Sequence, residues 1–380
     1  MRLSYSEAAG DHTTLEISII GLPKSGKTTI FNALTKRSFA AEARAPSALT
    51  YNIGTAKVPE PRLEFLTSIF HPKKVTAAEI RYIDIAGMTK GFGRSEGIGG
   101  QLLNYLSKAD LLLHVVRAFR DEGIPHIDSS IDPKRDMATM NLELIFSDLS
   151  IIEKRIQRIQ ELLKSAKPHE RDLVLKEQTL LQKIKGALES ETPIREQKLS
   201  AEEVRSLTNY QFLTAKPMLV VINIDEDQIS QASAIETELR KNYSGTHPKI
   251  IAICGKLEME LAQLEDAEAK EFRNALGLSE PVLDRVIRTS YELLGLISFF
   301  TTVSEELKAW TIPKGTTALK AAGKIHSDIE RGFIKAEVIN FTELQRLGSL
   351  AEARRQGLLR LEGKNYIVED GDIITFMFNV

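Results

Sequence analysis

Short apolar runs recur along the first two-thirds of the chain, each bounded by polar or turn residues. They occupy residues 15–20, 79–84, 111–116, 218–223 and 249–254. Strands that are apolar almost throughout are typical of parallel sheets buried on both faces. Because helical or loop sequence separates each run from the next, the pattern predicts an α/β fold with a mostly parallel, doubly wound sheet.

A different pattern lies between the third and fourth runs, where apolar residues alternate spacings of three and four. This is the repeat of a coiled-coil seam, and it needs no cofactor to explain it. The seam comprises Leu142, Ile145, Leu149, Ile152, Ile156, Ile159 and Leu163, and after Lys167-Pro168 it restarts with Leu173, Leu180, Ile184 and Leu188. We expect two antiparallel helices that form a helical hairpin insertion over residues 128–213.

In the last ninety or so residues the pattern of apolar and polar positions changes again, and it predicts a small α+β module. Strand-like segments lie at 309–313, 336–339, 366–368 and 373–380, with a helix near 317–326 and a tight turn at 369–372. The predicted domains are an N-terminal extension (1–14), a nucleotide-binding domain (15–127 and 214–296), the hairpin (128–213) and a C-terminal domain (297–380).

The composition narrows the function without deciding it. Of 380 residues, 42% are hydrophobic and 27% charged, and 50 basic against 52 acidic residues give a net charge of −2. No global basic field indicates nucleic acid. The single cysteine, Cys254, excludes an intramolecular disulfide and fits a reducing compartment. With no run of 18 apolar residues and a polar start, we expect a cytoplasmic protein that does not contact membranes.

Residues 21–28 carry the chemistry most clearly, because they satisfy the phosphate-loop pattern G-x-x-x-x-G-K-[ST] between a strand and a helix. Gly21 and Gly26 let backbone N–H groups turn inward as an anion-binding nest. Lys27 is placed to neutralise the β- and γ-phosphates, and Thr28 to offer its hydroxyl to Mg²⁺. The other predicted phosphate-loop contacts are Pro23, Lys24, Ser25 and Thr29.

A second element, D-x-x-G, closes the run at 79–84. Asp84 is expected to hold Mg²⁺ through water, and the N–H of Gly87 to reach the γ-phosphate. Five glycines follow, and they indicate a mobile switch segment: Gly91, Gly93, Gly97, Gly99 and Gly100.

A third element follows the apolar run at 218–223 and is expected to read the base. GTPases carry N-K-x-D at this place, whereas this chain has Asn223, Ile224 and then Glu226. A longer carboxylate and a missing Lys weaken the selection of guanine, so ATP is a plausible ligand. Cys254, Gly255 and Lys256 lie where a base-contacting loop belongs, although an ordinary strand-to-helix turn accounts for them equally well.

Together these elements resemble the YchF family of Obg-like ATPases, and the resemblance covers nearly the whole chain. The segments that carry it are 30–35, 58–63, 84–87, 96–99, 114–119 and 213–217, and in the tail 309–313, 321–326 and 360–368. The resemblance implies a G domain, a helical hairpin and a C-terminal TGS domain. It also implies hydrolysis of ATP in preference to GTP, a need for Mg²⁺, and binding to ribosomes or RNA.

Three positions depart from the family pattern or from related G proteins. Lys24 stands where family members have Asn, which in related G proteins helps to seat a potassium ion. The Lys24 ammonium either takes the place of that ion, which predicts hydrolysis without potassium dependence, or points to solvent. The switch I threonine that would touch Mg²⁺ aligns with Ala48, and Thr50 is the nearest substitute.

The third position is Met88, where Ras-like proteins place the glutamine that orients water. Since Met cannot do this, slow basal hydrolysis is expected. His114 either assists as a hydrogen-bonding group near the switch or is a buried structural histidine.

The sequence gives RNA binding little support of its own. The hairpin carries nine basic and eight acidic residues between positions 141 and 190. A small basic face in the tail is conceivable, formed by Lys314, Lys320, Lys324, Arg331 and Lys335. The leading hypothesis is therefore a slow ATPase switch. The alternatives are a non-catalytic nucleotide sensor or RNA-binding scaffold, and a strict GTPase.

Overall fold

A computed structural model of the chain describes residues 15–36, 51–85, 98–164, 167–241, 248–278, 280–303 and 305–379. These residues form two compact units. The first unit contains residues 15–56 and 81–283, and the second contains residues 57–80 and those from 284 onward. No helix among the described residues is long and apolar enough to span a membrane.

The described residues form twelve strands and fourteen α-helices. The strands are β1 (Leu15–Ile20), β2 (Tyr51–Lys57), β3 (Lys74–Thr76), β4 (Glu79–Ile85), β5 (Leu111–Arg117), β6 (Met218–Asn223), β7 (Lys249–Ile253), β8 (Leu296–Val303), β9 (Glu306–Pro313), β10 (Phe333–Asn340), β11 (Arg360–Glu362) and β12 (Asp372–Phe378). The helices are α1 (Lys27–Thr35), α2 (Arg62–Phe70), α3 (Ile98–Lys108), α4 (Pro133–Leu163), α5 (Pro168–Glu189), α6 (Ala201–Leu207), α7 (Ala232–Arg240), α8 (Gly255–Leu261), α9 (Asp266–Ala275), α10 (Val282–Leu294), α11 (Ala318–Ile325), α12 (Ser327–Arg331), α13 (Phe341–Leu347) and α14 (Leu350–Arg355).

The first unit is built on a six-stranded sheet in the order β2-β4-β1-β5-β6-β7. All five predicted strands are present, and the pairs β1–β5, β5–β6 and β6–β7 are parallel. The predicted α/β class is confirmed. Strand β2 at the edge was not predicted, because its sequence mixes polar and apolar residues around Gly54 and lacks a continuous apolar run.

The hydrophobic core of this unit explains why these strands are apolar throughout. On one face of the sheet, side chains from β1, β5 and β6 pack against the start of α4. They include Ile20, Leu112, Val116, Val220 and Ile222 from the strands and Met137, Met140 and Leu144 from the helix. Each fully buried aliphatic side chain contributes about 1.5–3 kcal/mol to the free energy of unfolding.

The predicted hairpin consists of α4 and α5. Helix α4 begins at Pro133, where Asp132 caps it by accepting a hydrogen bond from the Arg135 N–H at 3.1 Å. Most of the predicted seam lies in one buried cluster, which includes Ile145, Ile152, Ile159, Ile184 and Leu188. Leu173 was wrongly placed in the seam, since it is 61% exposed and the neighbouring Val174 packs there instead.

A buried carboxylate fixes the base of the hairpin. Asp148 on α4 accepts hydrogen bonds from the N–H of Leu213 (2.9 Å), the N–H of Thr214 (2.8 Å) and the hydroxyl of Thr214 (2.6 Å). Hydrogen bonds to a charged group are among the stronger ones in proteins. They tie α4 to the segment that leads into β6.

The second unit contains a mixed sheet in the order β11-β10-β12-β8-β9-β3. The predicted strands at 309–313, 336–339 and 373–380 correspond to β9, β10 and β12, and the predicted helix corresponds to α11. The predicted strand at 366–368 is wrong. In that segment Ile367 makes only an isolated bridge to Thr317.

The two units divide the chain differently from the predicted domains. Strand β3 pairs in parallel with β9, and Leu66 of α2 is buried with Phe300 and Leu307. Residues 57–80 and 284–296 therefore fold with the C-terminal strands, although the prediction assigned them to the nucleotide-binding domain.

The basic residues of the tail are partly neutralised. Lys320 forms an ion pair with Glu330 at 2.7 Å, and Arg331 pairs with Asp328. At least two of the five charges proposed for a basic face are thus already matched by acids on the same unit.

His114 lies inside the first sheet. It stands in the middle of β5, opposite Ile20 and Val220, and Arg117 ends the strand. The imidazole is buried, and neither ring nitrogen has a hydrogen-bond partner among the described residues. Burial lowers its pKa to about 3, and the positive charges of Arg195 and Lys27 act in the same direction.

Replacing His114 should therefore change the response of stability to acid. Because its pKa is lower in the folded chain than in the unfolded chain, wild-type stability should fall as the pH falls below about 6.5. The full effect of one such histidine is about 1.4 kcal/mol per pH unit. In His114→Leu, the slope between pH 5 and pH 6 should be shallower by about that amount, as measured by urea unfolding.

The matched control is His71→Gln, since His71 is an exposed histidine at the end of α2. Its slope should match that of the wild type. Equal slopes in His114→Leu and the wild type would contradict the assignment of a neutral, buried imidazole.

Candidate nucleotide-binding site

The predicted phosphate loop joins β1 to α1. Gly21 has a φ of +152°, and a Cβ there would lie 2.3 Å from the carbonyl oxygen of Val115. Gly26, with φ +92°, caps α1, and a Cβ there would lie 2.2 Å from Nδ2 of Asn223. Both positions require glycine, since their backbone conformation is unfavourable for other residues and neighbouring atoms fill the space of a side chain.

Between these glycines the side chains differ sharply in environment. Lys24 is exposed, has a left-handed φ of 63°, and makes no hydrogen bond or ion pair within the described ranges. Pro23 is half-buried. Ser25 is buried, and its hydroxyl has no partner among the described residues. Of the two alternatives for Lys24, this structure places the ammonium in solvent.

Lys27 folds back over the loop that precedes it. Its ammonium donates to the carbonyl oxygens of Gly21 (2.9 Å) and Leu22 (3.0 Å). Burial lowers the pKa of Lys27, and the nearby charge of Asp84 acts in the opposite direction. The cation therefore stands in a weakly hydrated position at the loop, where an anionic ligand would stabilise it.

Asp84 lies at the end of β4 and is buried. Its Oδ2 accepts hydrogen bonds from the hydroxyl of Thr28 at 2.8 Å and from Nδ2 of Asn52 at 3.4 Å. Its Oδ1 is also buried and has no partner among the described residues. Oxygen ligands of this type suit Mg²⁺. Thr28 and Asp84, predicted from separate motifs, are thus adjacent.

Asn223 connects the phosphate loop to the predicted base-reading loop. Its Nδ2 donates to the carbonyl oxygen of Ser25 at 3.1 Å, and its Oδ1 accepts the N–H of Gly255 at 3.0 Å. A Cβ on Gly255 would lie 2.8 Å from Cδ1 of Ile30, so a larger residue there would require the end of the Ile30 side chain to shift. Three segments that are far apart in sequence meet at one amide.

The residues that follow Asn223 have separate roles. Ile224 is buried and donates its N–H to the carbonyl oxygen of Ile253 at 2.9 Å. The Asp225 carboxylate accepts the N–H of Arg120 at 2.8 Å, so it is engaged in holding the loop. Glu226 is exposed, which leaves its carboxylate available to a ligand.

The other loop with a predicted base contact, residues 254–256, follows β7 and leads into α8. Cys254 is buried at the N-terminus of this helix, and burial raises the pKa of its thiol. The side chain of Lys256, two residues on, is exposed. The backbone of Gly255, rather than either side chain, makes the observed contact with Asn223.

Two residues that were not predicted as site residues lie beside these loops, namely Arg117 at the end of β5 and Phe119 just beyond it. The guanidinium of Arg117 lies 4.4 Å from the ring centroid of Phe119, and its Nε donates to the Phe119 carbonyl oxygen at 3.2 Å. The Phe119 ring comes within 3.8 Å of the position that a Cβ of Gly26 would occupy. The segment 114–119 carried the family resemblance, which was the available signal.

Several predicted residues lie outside the described ranges: Ala48, Thr50, Gly87 and Met88. The glycines of the predicted switch at 91, 93 and 97 lie outside them as well. Thr29 is described and sits half-buried in the first turn of α1.

His126, Asp128 and Asp136 form a second cluster of side chains that could ligate a metal, but they are already engaged in hydrogen bonds and an ion pair. The Nε2 of His126 donates to Oδ2 of Asp136 at 2.8 Å, while its Nδ1 accepts the N–H of Asp128 at 3.0 Å. Arg135 donates to the other oxygen of Asp136 at 2.9 Å. Both ring nitrogens are engaged and a guanidinium already neutralises the carboxylate, so this group is a structural network rather than a metal centre.

Comparison with known proteins places the whole chain in one group. A family model described as "50S ribosome-binding GTPase" matches residues 16–147. A model for the C-terminal region of YchF GTPases, described as "Protein of unknown function (DUF933)", matches residues 296–379.

Relatives and a solved structure match over nearly the full length. The chain is 42% identical to the "Ribosome-binding ATPase YchF" of Bacillus subtilis (strain 168), over 96% of this chain and 100% of the relative. It is 38% identical to the protein of that name from Escherichia coli O157:H7, over 95% and 98%. The structure of the Schizosaccharomyces pombe YchF GTPase matches with a TM-score of 0.84 and 30% identity, over 96% of this chain and 98% of that one. The chain therefore belongs to the YchF family.

Proposed function

We propose that this protein is a magnesium-dependent P-loop ATPase with slow intrinsic turnover, which acts as a nucleotide switch on the ribosome. The observation that carries the proposal is the hydrogen bond of 2.8 Å between Thr28 and Asp84, next to Lys27. In P-loop NTPases a hydroxyl and a carboxylate so placed hold Mg²⁺, and the Lys contacts the β- and γ-phosphates. Its relatives in Bacillus subtilis and Escherichia coli are named ribosome-binding ATPases.

Mg²⁺ fits the donors that this chain offers. The hydroxyl of Thr28 and, through water, the carboxylate of Asp84 would hold the ion, and Thr50 is a further candidate outside the described residues. When bound, the ion neutralises charge on the β- and γ-phosphate oxygens. The buried Oδ1 of Asp84, which has no partner among the described residues, supports this assignment, because such an oxygen needs a donor such as metal-bound water.

The protein would contribute to hydrolysis mainly by placing a positive charge and an N–H donor next to the phosphates. Lys27 would move from the loop carbonyls to the phosphates, and the N–H of Gly87 would contact the γ-phosphate. His114 is neutral near pH 7 and cannot act as a general acid there, so its contribution is limited to hydrogen bonding or structure. With Met88 in place of a water-orienting residue, slow turnover follows.

The preference for ATP rests on the base-reading loop. Guanine selection in GTPases uses a short carboxylate and a Lys packed over the base, and this chain has Glu226 and buried Ile224 at those positions. The half-buried Phe119, beside Gly26 and Asn223, would form an apolar wall for a purine. An apolar wall and a displaced carboxylate favour adenine, which lacks the guanine N1–H and N2 donors. GTP is the alternative nucleotide, since the matched Schizosaccharomyces pombe protein is named a GTPase.

Binding to the ribosome or its RNA, and location in the cytoplasm, rest on family membership. The family model described as a ribosome-binding GTPase spans the first part of the chain, and the relatives carry ribosome-binding names. The surface charges of the described tail add little, since at least two of the five basic residues are paired.

Multiple-turnover phosphate release tests the proposed activity. With ATP and Mg²⁺ the wild type should release many phosphates per protein, slowly alone and faster with ribosomes. Lys27→Ala and Asp84→Asn should each reduce the rate by about 100-fold or more, the usual cost of removing a group that stabilises developing charge. Asp227→Asn, at an exposed neighbour of the base loop, is the control. Release of no more than one phosphate per protein would favour the non-catalytic sensor.

Competition binding tests the choice of base. Wild type should bind ATP more tightly than GTP, and the double variant Ile224→Lys/Glu226→Asp should shift the ratio toward GTP by about tenfold or more, because a site that pairs base donors discriminates strongly. Asp227→Glu should leave the ratio unchanged. Wild-type binding of GTP at least tenfold tighter than that of ATP would identify a strict GTPase instead.

Turnover in potassium and sodium buffers tests the role of Lys24. If the ammonium takes the place of a bound cation when nucleotide is present, wild-type rates should be equal in KCl and NaCl. Lys24→Asn should then gain stimulation by potassium, since it restores the family residue. Strong potassium stimulation of the wild type would show that Lys24 stays in solvent in the nucleotide-bound protein too.

A further inference from the structure

The side chain of Asn52 reaches the candidate magnesium site from the edge of the sheet. Asn52 is the second residue of β2, and β2 is hydrogen-bonded to β4, whose end carries Asp84. Its half-buried amide lies 3.4 Å from Oδ2 of Asp84. Because an ionised carboxylate only accepts hydrogen bonds, the amide nitrogen faces it.

The two oxygens of Asp84 have unequal surroundings. Oδ2 accepts from both Thr28 at 2.8 Å and Asn52 at 3.4 Å, whereas Oδ1 is buried and has no partner among the described residues. Two donors on one oxygen, arriving from α1 and from β2, fix the rotation of the carboxylate. They also leave Oδ1 as the oxygen that can accept from a ligand.

We propose that Asn52 is a positioning residue of the magnesium site, which holds Asp84 so that Oδ1 is presented to a magnesium-bound water. This proposal rests on the magnesium site of the proposed function. Thr28 can offer an oxygen lone pair to the ion while its O–H still donates to Oδ2, and it does so from α1. Asn52 donates to the same oxygen from β2, and its side chain makes no other hydrogen bond among the described residues. It therefore supplies a second constraint on the carboxylate that does not depend on Thr28.

The surroundings of Asn52 make its removal a clean test. Strand β2 is held by its pairing with β4 and by Tyr51, whose ring centroid lies 4.7 Å from that of Tyr105 on α3. These contacts do not involve the Asn52 amide. Replacing Asn52 should therefore leave β2 in place and change the orientation of Asp84 alone.

The experiment measures binding of the non-hydrolysable analogue AMPPNP to the full chain by calorimetry, with Mg²⁺ titrated from zero and separately in EDTA. The variants are Asn52→Ala, and Asn52→Leu, which keeps the volume but removes the donor. In both, the apparent Kd for Mg²⁺ should rise by about 10-fold or more, the usual effect of removing a group that orients a metal ligand. Affinity for AMPPNP in EDTA should not change.

Thr55→Ala is the matched control, because Thr55 is an exposed residue of the same strand. It should retain wild-type values in both conditions. Equal losses with and without Mg²⁺ in the Asn52 variants would show a structural role and overturn the proposal. An effect in Asn52→Ala but not in Asn52→Leu would assign it to packing and overturn the proposal too.

The remaining outcomes separate this proposal from the proposed function. If Mg²⁺ strengthens AMPPNP binding equally in the wild type and both Asn52 variants, the role of Asn52 is refuted and the magnesium site stands. If Mg²⁺ leaves wild-type binding unchanged, the magnesium site itself is refuted and the role of Asn52 with it.

Discussion

The side-chain amide of Asn223 is the interaction on which the rest of the site depends. It donates to Ser25 in the phosphate loop and accepts from Gly255 at the start of α8. An amide can do both at once, whereas a carboxylate can only accept. The approach is so close that Gly26 has no room for a Cβ. One side chain therefore ties the phosphate loop to the start of α8, where the proposed base-reading loop lies.

The charges of the site follow from this packing. Lys27 is drawn into the loop and partly desolvated, which lowers its pKa, and Asp84 is buried behind it. Within the described residues the two are joined through Thr28 and the loop rather than by a direct ion pair. A half-buried cation, and a carboxylate with one oxygen that has no partner among the described residues, are each incompletely satisfied. The proposed magnesium-bound triphosphate would supply what each lacks, because it would bring anionic oxygens for one and polarised water for the other.

The sequence predicted the elements that a local pattern determines. Continuous apolar runs identified five strands of the first sheet, and the heptad spacing identified α4 and α5. Strand β2 was not predicted because Gly54 interrupts its pattern of apolar residues. A side chain at Gly54 would collide with Thr35, and this contact exists only in the folded chain. The pairing of β3 with β9 joins residues more than 200 positions apart, so no local signal could reveal it. Likewise tertiary contacts, which no local pattern of apolar residues reveals, bring Asn52 next to Asp84 and Phe119 next to Gly26.

Packing also separates the positions of the loop that are fixed from those that can vary. Gly21 and Gly26 are fixed because neighbouring atoms occupy the space of any side chain. Lys24 is exposed on the same loop, and no packed neighbour among the described residues restricts it. Its left-handed backbone favours Asn or Gly, so a Lys there carries a conformational cost. Lys24, where a departure from the family pattern is expected, thus lies where substitution is sterically free, two residues from Gly26, where substitution would disrupt the loop. A different residue at position 24 is therefore compatible with the packing of the loop.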